Sequence, residues 1–480
     1  MITGIEGLDV ILGGGLVRGC AYIVQGPPGA GKTVLANQLG FNLARAGHRT
    51  LYVSLLSESH DRMLAHMSGM GFYDRMAVPD AISYISAFST LSAEGLPGLL
   101  RLVHAELRRH EASLLVLDGL FVAHDASEDE NEFRAFVHEL QGAAALSGSV
   151  LFALTNLGHS VGAPEHTMVD GGIELLDEMY GARSVRTIIV KKQRGGSHLR
   201  GRHQFRITDE GIRIFPRLEA ALDRSPAESE LTNRIPGGIE GFDLMIGGGY
   251  PSGSATIMAG PSGVGKTTVG LQFLAQSTPE EPGLLFGFYE TPARIRTKAR
   301  SVGIDIDGLL ASGALEIIWH SPAENLADEI GHKLLEAVER KKVRRVLFDG
   351  IGALRYTFVF PERLALFINA INNKLRRAET TIIYTLELPT LFMPDRLLND
   401  ELSTMADNIV ISYYTRPATR HEGGRHLRVV DRELLILKVR DSSFDTFPEV
   451  FHISSEGIRF GRATAAEQRP DGASGVSEGA

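Results

Sequence analysis

The feature that most constrains this chain is that it repeats itself. The stretch "TGIEGLDVILGGGLVRGCAYIVQGPPGAGKT" opens at Thr3, and "IPGGIEGFDLMIGGGYPSGSATIMAGPSGVGKTT" opens at Ile235. The two align almost residue for residue. Lys32 and Lys266 lie 234 positions apart, and Asp118 and Asp349, each closing an apolar run, lie 231 apart. Agreement at two distant landmarks implies a duplicated domain rather than two chance motifs. Whatever one half folds into, the other must fold into as well.

Within each repeat, short apolar runs alternate with amphipathic stretches. "AYIVQ", "TLYVSLL", "SLLVLDG" and "VLFALTN" read as buried strands. "LPGLLRLVHAELRRH" and "NEFRAFVHELQGAAALS" have helical spacing. This alternation predicts an α/β fold, a mostly parallel sheet with helices on both faces. Each repeat then closes in β-rich sequence, and "QFRITDEGIRIF" predicts a hairpin. The expected domains are 1–217 and 235–460. The polar stretch 218–234 between them has linker composition, and residues 461–480, rich in Ala, Gly, Ser and Glu, are expected to be disordered.

Both repeats carry a P-loop. In the first, Gly26, Gly29, Ala30, Gly31, Lys32, Thr33 and Val34 form it; in the second, Gly260, Gly263, Val264, Gly265, Lys266, Thr267 and Thr268 do. Glycines let successive N–H groups turn inward into an anion nest, and the helix that follows adds its positive end. Lys32 and Lys266 are expected to reach the β- and γ-phosphates of ATP, and Thr33 and Thr267 to ligate Mg²⁺. Asp118 and Asp349, closing "LLVLD" and "RVLFD", are the expected acidic partners of that Mg²⁺.

These residues resemble those of the KaiC family of RecA-like ATPases, whose hallmark here is "GIEGLDVILGGGLVRG" ahead of a P-loop, twice in one chain. The likeness runs from residue 1 to about 460. It implies two tandem RecA-like P-loop domains, a homo-hexameric ring with ATP at the subunit interfaces, and a role in signalling or timing. It also implies that a Lys-x-Arg strand late in each domain reaches the neighbour's ATP. "KQRGGSH" supplies Lys192, Arg194 and His198, and "KVRDSSF" supplies Lys438 and Arg440. A cation offered to the γ-phosphate acts as an arginine finger.

The same resemblance implies a Glu-Glu pair at the end of the second strand, to orient or deprotonate the attacking water. In domain 1 the pair aligns with Leu56 and Ser57, with Glu58 one place later. Leu56 accepts no proton, so domain 1 is expected mainly to hold nucleotide, unless a bulge brings Glu58 into place. In domain 2 Tyr289 takes the first place and Glu290 the second, which makes Glu290 the expected general base. "ELSTMADNIVIS" matches the segment that clock members of the family phosphorylate, with Ser403 and Thr404 at the two positions.

The expectation is therefore an ATPase with turnover chiefly in domain 2. The alternatives are a serine/threonine autokinase acting on Ser403 and Thr404, a non-catalytic nucleotide sensor that switches a bound signalling protein, and a recombinase or helicase-like motor on DNA. A formal net charge of −9 weighs against the last, because nucleic-acid binders draw their affinity from neutralised phosphates. A single cysteine, Cys20, excludes an internal disulfide framework. No apolar run is long enough to cross a bilayer, and the opening "MITGIEGLDV" lacks a basic region followed by an apolar one, so a cytoplasmic protein is expected. The sixteen histidines form no ligand-like cluster, and no metal other than Mg²⁺ is expected.

Overall fold

The computed structural model describes residues 1–57, 60–156, 168–222, 233–321, 325–392, 404–418, 430–440 and 442–461, and the backbone alone of 419–422 and 425–429. Glu58, Ser403 and the tail beyond 461 lie outside the described residues. The chain divides into two compact units, Met1–Ala221 and Leu222–Ala480. Within the stretch expected as linker, Leu218–Ala221 forms a short helix with Leu218 buried, and Arg234 opens a strand.

The first unit is built on one nine-stranded sheet. Its strands are β1 (Ala21–Gln25), β2 (Thr50–Ser54), β3 (Ile82–Ser86), β4 (Leu114–Asp118), β5 (Val150–Thr155), β6 (Gly171–Tyr180), β7 (Arg183–Gln193), β8 (His203–Thr208) and β9 (Gly211–Phe215). They lie in the order β3-β2-β4-β5-β1-β6-β7-β8-β9. Strands β3 to β6 in that order pair in parallel; β6 through β9 pair antiparallel. The α/β expectation and the closing hairpin are both met.

The second unit opens with the short strands β10 (Arg234–Ile235) and β11 (Tyr250–Pro251). It continues with β12 (Ala255–Gly260), β13 (Gly283–Gly287), β14 (Leu315–Trp319), β15 (Arg345–Asp349), β16 (Thr381–Glu387) and β17 (Asn408–Tyr414). A two-stranded ribbon, β18 (Ala418–Glu422) with β19 (Arg425–Val429), precedes β20 (Arg432–Val439), β21 (Glu449–Ser454) and β22 (Gly457–Phe460). Its main sheet runs β14-β13-β15-β16-β12-β17-β20-β21-β22, strand for strand the order of the first.

Strands β1, β2, β4 and β5 of the first sheet are buried on both faces, which is why they read as unbroken apolar runs. Tyr22 and Val24 of β1 join Leu114 and Val116 of β4 in one core, under the helix Lys32–Arg45 and the β8–β9 hairpin. Ala21 and Ile23, with Leu115 and Leu117, join the other core, under the helices Phe88–His110 and Glu130–Ser147. Strand alternation thus puts Tyr52 and Asp118 on the P-loop side.

The duplicated "G-[LF]-D" segment is a turn device. Asp9 accepts from the N–H groups of Thr3 at 2.8 Å and Gly4 at 3.1 Å. Asp243 accepts twice from the N–H of Gly237, at 2.8 and 3.0 Å. Each carboxylate ties the entering chain down ahead of the central strand. Among the described residues, no helix is long and apolar enough to cross a membrane.

Candidate functional site

Each P-loop leaves the C-terminal end of the central strand and turns into a helix that begins at its lysine. Gly29 and Gly31, and Gly263 and Gly265, all have positive φ, between 77° and 115°. Lys32 Nζ donates to the carbonyls of Gly26 at 2.6 Å and Pro27 at 3.1 Å; Lys266 Nζ does the same to Gly260 at 2.8 Å and Pro261 at 2.7 Å. Burial pulls both ammonium groups below the usual lysine range, while nearby carboxylates oppose that shift. The closing hairpin caps each loop. A Cβ on Gly31 would meet Ile207 Cδ1 at 2.7 Å, and one on Gly265 would meet Ile453 Cδ1 at 2.8 Å.

The expected Mg²⁺ ligands come together. Thr33 Oγ1 lies 3.5 Å from Asp118 Oδ2, and Thr267 Oγ1 lies 3.3 and 3.4 Å from the Asp349 oxygens. A hydroxyl and a carboxylate facing each other beside a phosphate cradle are an oxygen donor set of the kind Mg²⁺ takes. The supporting bonds differ between the units. Tyr52 holds Asp118 Oδ2 at 2.6 Å, whereas Thr385 holds Asp349 Oδ1 at 2.6 Å. Burial raises the Asp349 carboxyl above its ordinary value, against the lowering effect of the Thr385 hydrogen bond.

The corner at the end of the second strand also differs. Leu56 sits against Gly119, where a Cβ would meet its Cδ2 at 3.0 Å; Tyr289 sits against Gly350, where a Cβ would meet its Cδ2 at 2.8 Å. Leu56 and Tyr289 are therefore structural equivalents. Glu290 follows Tyr289 and lines a cleft of about 320 Å³ together with Lys266, Thr267, Lys298, Asp349, and Glu387. Its carboxylate accepts a hydrogen bond from Lys298 Nζ.

The two Lys-x-Arg segments superimpose in their contacts. A β-bulge interrupts β6–β7 between Gly172 and Ile173, and another interrupts β17–β20 between Ile409 and Val410. Past it, Lys192 Nζ donates to Val169 O at 2.6 Å and Lys438 Nζ to Ala406 O at 2.9 Å. Arg194 lies 3.8 Å from Asp170, and Arg440 lies 3.3 Å from Asp407. Both guanidinium groups remain largely exposed. His198 sits in the loop after Arg194, its pKa lowered by burial and by Arg200. Thr404 is exposed and lines a small cleft of about 90 Å³ with Arg376, Asp407 and Arg440.

A family model described as the KaiC ATPase matches residues 1–219 and, again, residues 235–465. The chain belongs to the KaiC family of ATPases. Among its relatives are the circadian clock oscillator protein KaiC of Picosynechococcus, 26% identical over 95% of this chain and 88% of that protein, and KaiC 1 of Synechocystis, 26% identical over 95% and 88%. The circadian clock protein KaiC3 of Synechocystis is 23% identical over 96% and 91%. This KaiC-family chain is thus an ATP-binding P-loop ATPase with two repeats, as the sequence implied.

Sequence reasoning missed Tyr52, Thr385, Lys298, Glu387, Asp170 and Asp407. For the last two a signal existed, since "VDGGIE" and "ADNIVI" place an aspartate at the same point ahead of β6 and β17. The others become neighbours of the site only through strand order and helix packing.

Proposed function

We propose that this chain turns over ATP chiefly in domain 2, while domain 1 holds nucleotide. The observation that carries this is the unequal corner: Glu290 lines one cleft with Lys266 and Asp349, and Leu56 stands at the matching corner of the other unit, ahead of Ser57. In domain 2 the loop N–H groups and Lys266 bind the β- and γ-phosphates. Thr267 and Asp349 would hold Mg²⁺, and Thr33 and Asp118 would do so in domain 1. Bound there, the ion draws charge from the phosphate oxygens. Glu290 orients the attacking water and accepts its proton.

The assembly in this reading is a cytoplasmic homo-hexamer with ATP at the subunit interfaces. The exposed Arg194 and Arg440 fit this role, because each projects from a bulged strand end with a lysine beside it. They would stabilise charge on the neighbour's γ-phosphate. Nucleotide bridging subunits stabilises the ring by mass action, so domain 1 contributes without fast turnover. A role in timing follows the names of the relatives, which are circadian clock proteins, and signalling through a protein partner is part of the same proposal.

The test is steady-state hydrolysis by the full chain. Glu290→Gln is expected to lower turnover by about 10²–10⁴-fold with Mg·ATP binding retained. Unchanged turnover would reject the assignment. A second reading, autokinase activity, is favoured by Thr404 sharing a cleft with Arg440. Incubation with Mg·ATP followed by mass spectrometry decides it, since an unmodified Ser403–Thr404 segment dismisses the kinase.

A further inference from the structure

The domain 2 cleft holds a second lysine. Lys298 projects from the helix Pro292–Ser301, which starts just after Glu290, and its ammonium returns to the Glu290 carboxylate. Both side chains line the same cleft as Lys266 and Asp349. The Lys298 charge is felt by both: besides burial, it helps to depress the Lys266 ammonium, and it partly offsets the burial that raises Asp349. Lys298 is thus in electrostatic reach of the phosphate-binding lysine without being part of the loop.

We propose that Lys298 is a positioning residue that bridges Glu290 to the terminal phosphate of a bound nucleoside triphosphate. An ammonium has three protons. One is donated in a hydrogen bond to Glu290, and the others remain as donors for phosphate oxygens. A flexible four-carbon stem lets the charge sit between the two acceptors. Such a bridge has two consequences. It fixes the carboxylate relative to the phosphorus that the water attacks, and it makes the cleft prefer a triphosphate to a diphosphate, since only the former supplies the terminal group. Domain 1 has Leu56 and Ser57 in place of the Tyr289–Glu290 corner, so among the described residues no carboxylate stands at that corner for a lysine to bridge. This inference rests on the domain 2 assignment of Glu290 and extends it.

The experiment uses the full chain carrying Lys32→Ala, which weakens domain 1 so that calorimetry reports domain 2. The probes are Mg²⁺ with the β,γ-imido analogue of ATP, and Mg²⁺ with ADP. Lys298→Met is expected to weaken the analogue by about 10-fold, the worth of one charge-assisted hydrogen bond, and to leave ADP unchanged. Lys298→Arg keeps the charge and is expected to restore much of the preference. Equal loss for both nucleotides, or no loss for either, overturns the proposal. Failure of the general-base reading shows separately, as persistent turnover in Glu290→Gln, because the binding measurement involves no hydrolysis.

Discussion

The Tyr52 hydroxyl donates to Asp118 Oδ2 at 2.6 Å, beside the phosphate loop of domain 1. In domain 2 the matching strand position is Leu285, since Tyr52 pairs with Val116 as Leu285 pairs with Leu347, each two residues ahead of the aspartate. There the aspartate is held from the opposite neighbour strand, by Thr385 of β16. The domain 1 position matching Thr385 is Leu154, the partner of Asp118 across β4–β5. Two halves with one ancestry hold the same carboxylate from opposite sides.

Removing the phenol should therefore cost domain 1 stability without touching domain 2. Burial and the Asp118 charge push the Tyr52 hydroxyl well above its ordinary value, so it stays a proton donor into alkaline solution. Tyr52→Phe leaves the buried carboxylate short of a donor, a loss of about 1–3 kcal/mol. Denaturant unfolding of the full chain should show this as an earlier transition, with the later one unmoved. Coincident shifts of both transitions would contradict the separation.

Thr385 sets a pH dependence. The Asp349 carboxyl is raised chiefly by burial, and further by the Glu290 charge, so the folded chain protonates it more readily than the unfolded chain. Taken alone, this group favours folding below the ordinary aspartate value, and that contribution is lost as pH rises through the raised folded value. Mg²⁺ binding has the opposite sign, because a proton on Asp349 competes with the ion. Mg·ATP affinity in domain 2 should fall on acidification. Thr385→Val removes a hydrogen bond that opposes the raised value, and should move that fall to higher pH. Calorimetric titration across a pH series checks it; an unmoved midpoint would count against the role given to Thr385.

The aspartates under the two arginines should differ in weight. Asp407 is 4% exposed and holds Arg376, itself 16% exposed, at 2.7 Å, as well as Arg440. Asp407→Ala strands a buried guanidinium and should cost about 3–5 kcal/mol. Asp170 is 28% exposed, and its arginine, Arg194, is 60% exposed. It also accepts from the Ala21 N–H at 3.0 Å. Asp170→Ala should cost only about 1–2 kcal/mol, mostly that hydrogen bond. Equal costs in paired unfolding curves would refute the argument from burial.

What could be read ahead of the structure was whatever a short window of sequence determines. The phosphate loops, the strands that feed them and the lysines that open the following helices are contiguous, and all stand where spacing put them. The partners of the site are not contiguous. Tyr52 and Thr385 sit on strands that the chain order separates from the aspartates and the sheet order sets beside them, β2 against β4 and β16 against β15. Lys192 and Lys438 lie just past a bulge, with Lys191 and Leu437 as the extra residues, and nothing in the local pattern announces a one-residue change of face. Lys298 stands eight residues beyond Glu290, and only the turn into the helix Pro292–Ser301 brings its ammonium back to that carboxylate.

The glycines of the first loop should separate by mechanism. Gly26 does not take positive φ, but a Cβ there would lie 2.4 Å from the carbonyl oxygen of Leu175 in the neighbouring strand. The obstacle there is main chain, which cannot swing aside as a side chain can, so Gly26→Ala must push β1 from β6 or distort the loop. Gly29 is the reverse case: its φ is +81°, and a Cβ would meet nothing within 4 Å. Gly29→Ala carries only left-handed strain, about 1–2 kcal/mol, and the N–H groups keep their direction. In calorimetry of the full chain with Lys266→Ala, Gly29→Ala should retain Mg·ATP binding in domain 1, and Gly29→Asn should fare better still, since asparagine tolerates this conformation. Gly26→Ala should abolish it. Retained binding in Gly26→Ala would mean that the loop yields more easily than its contact with Leu175 implies.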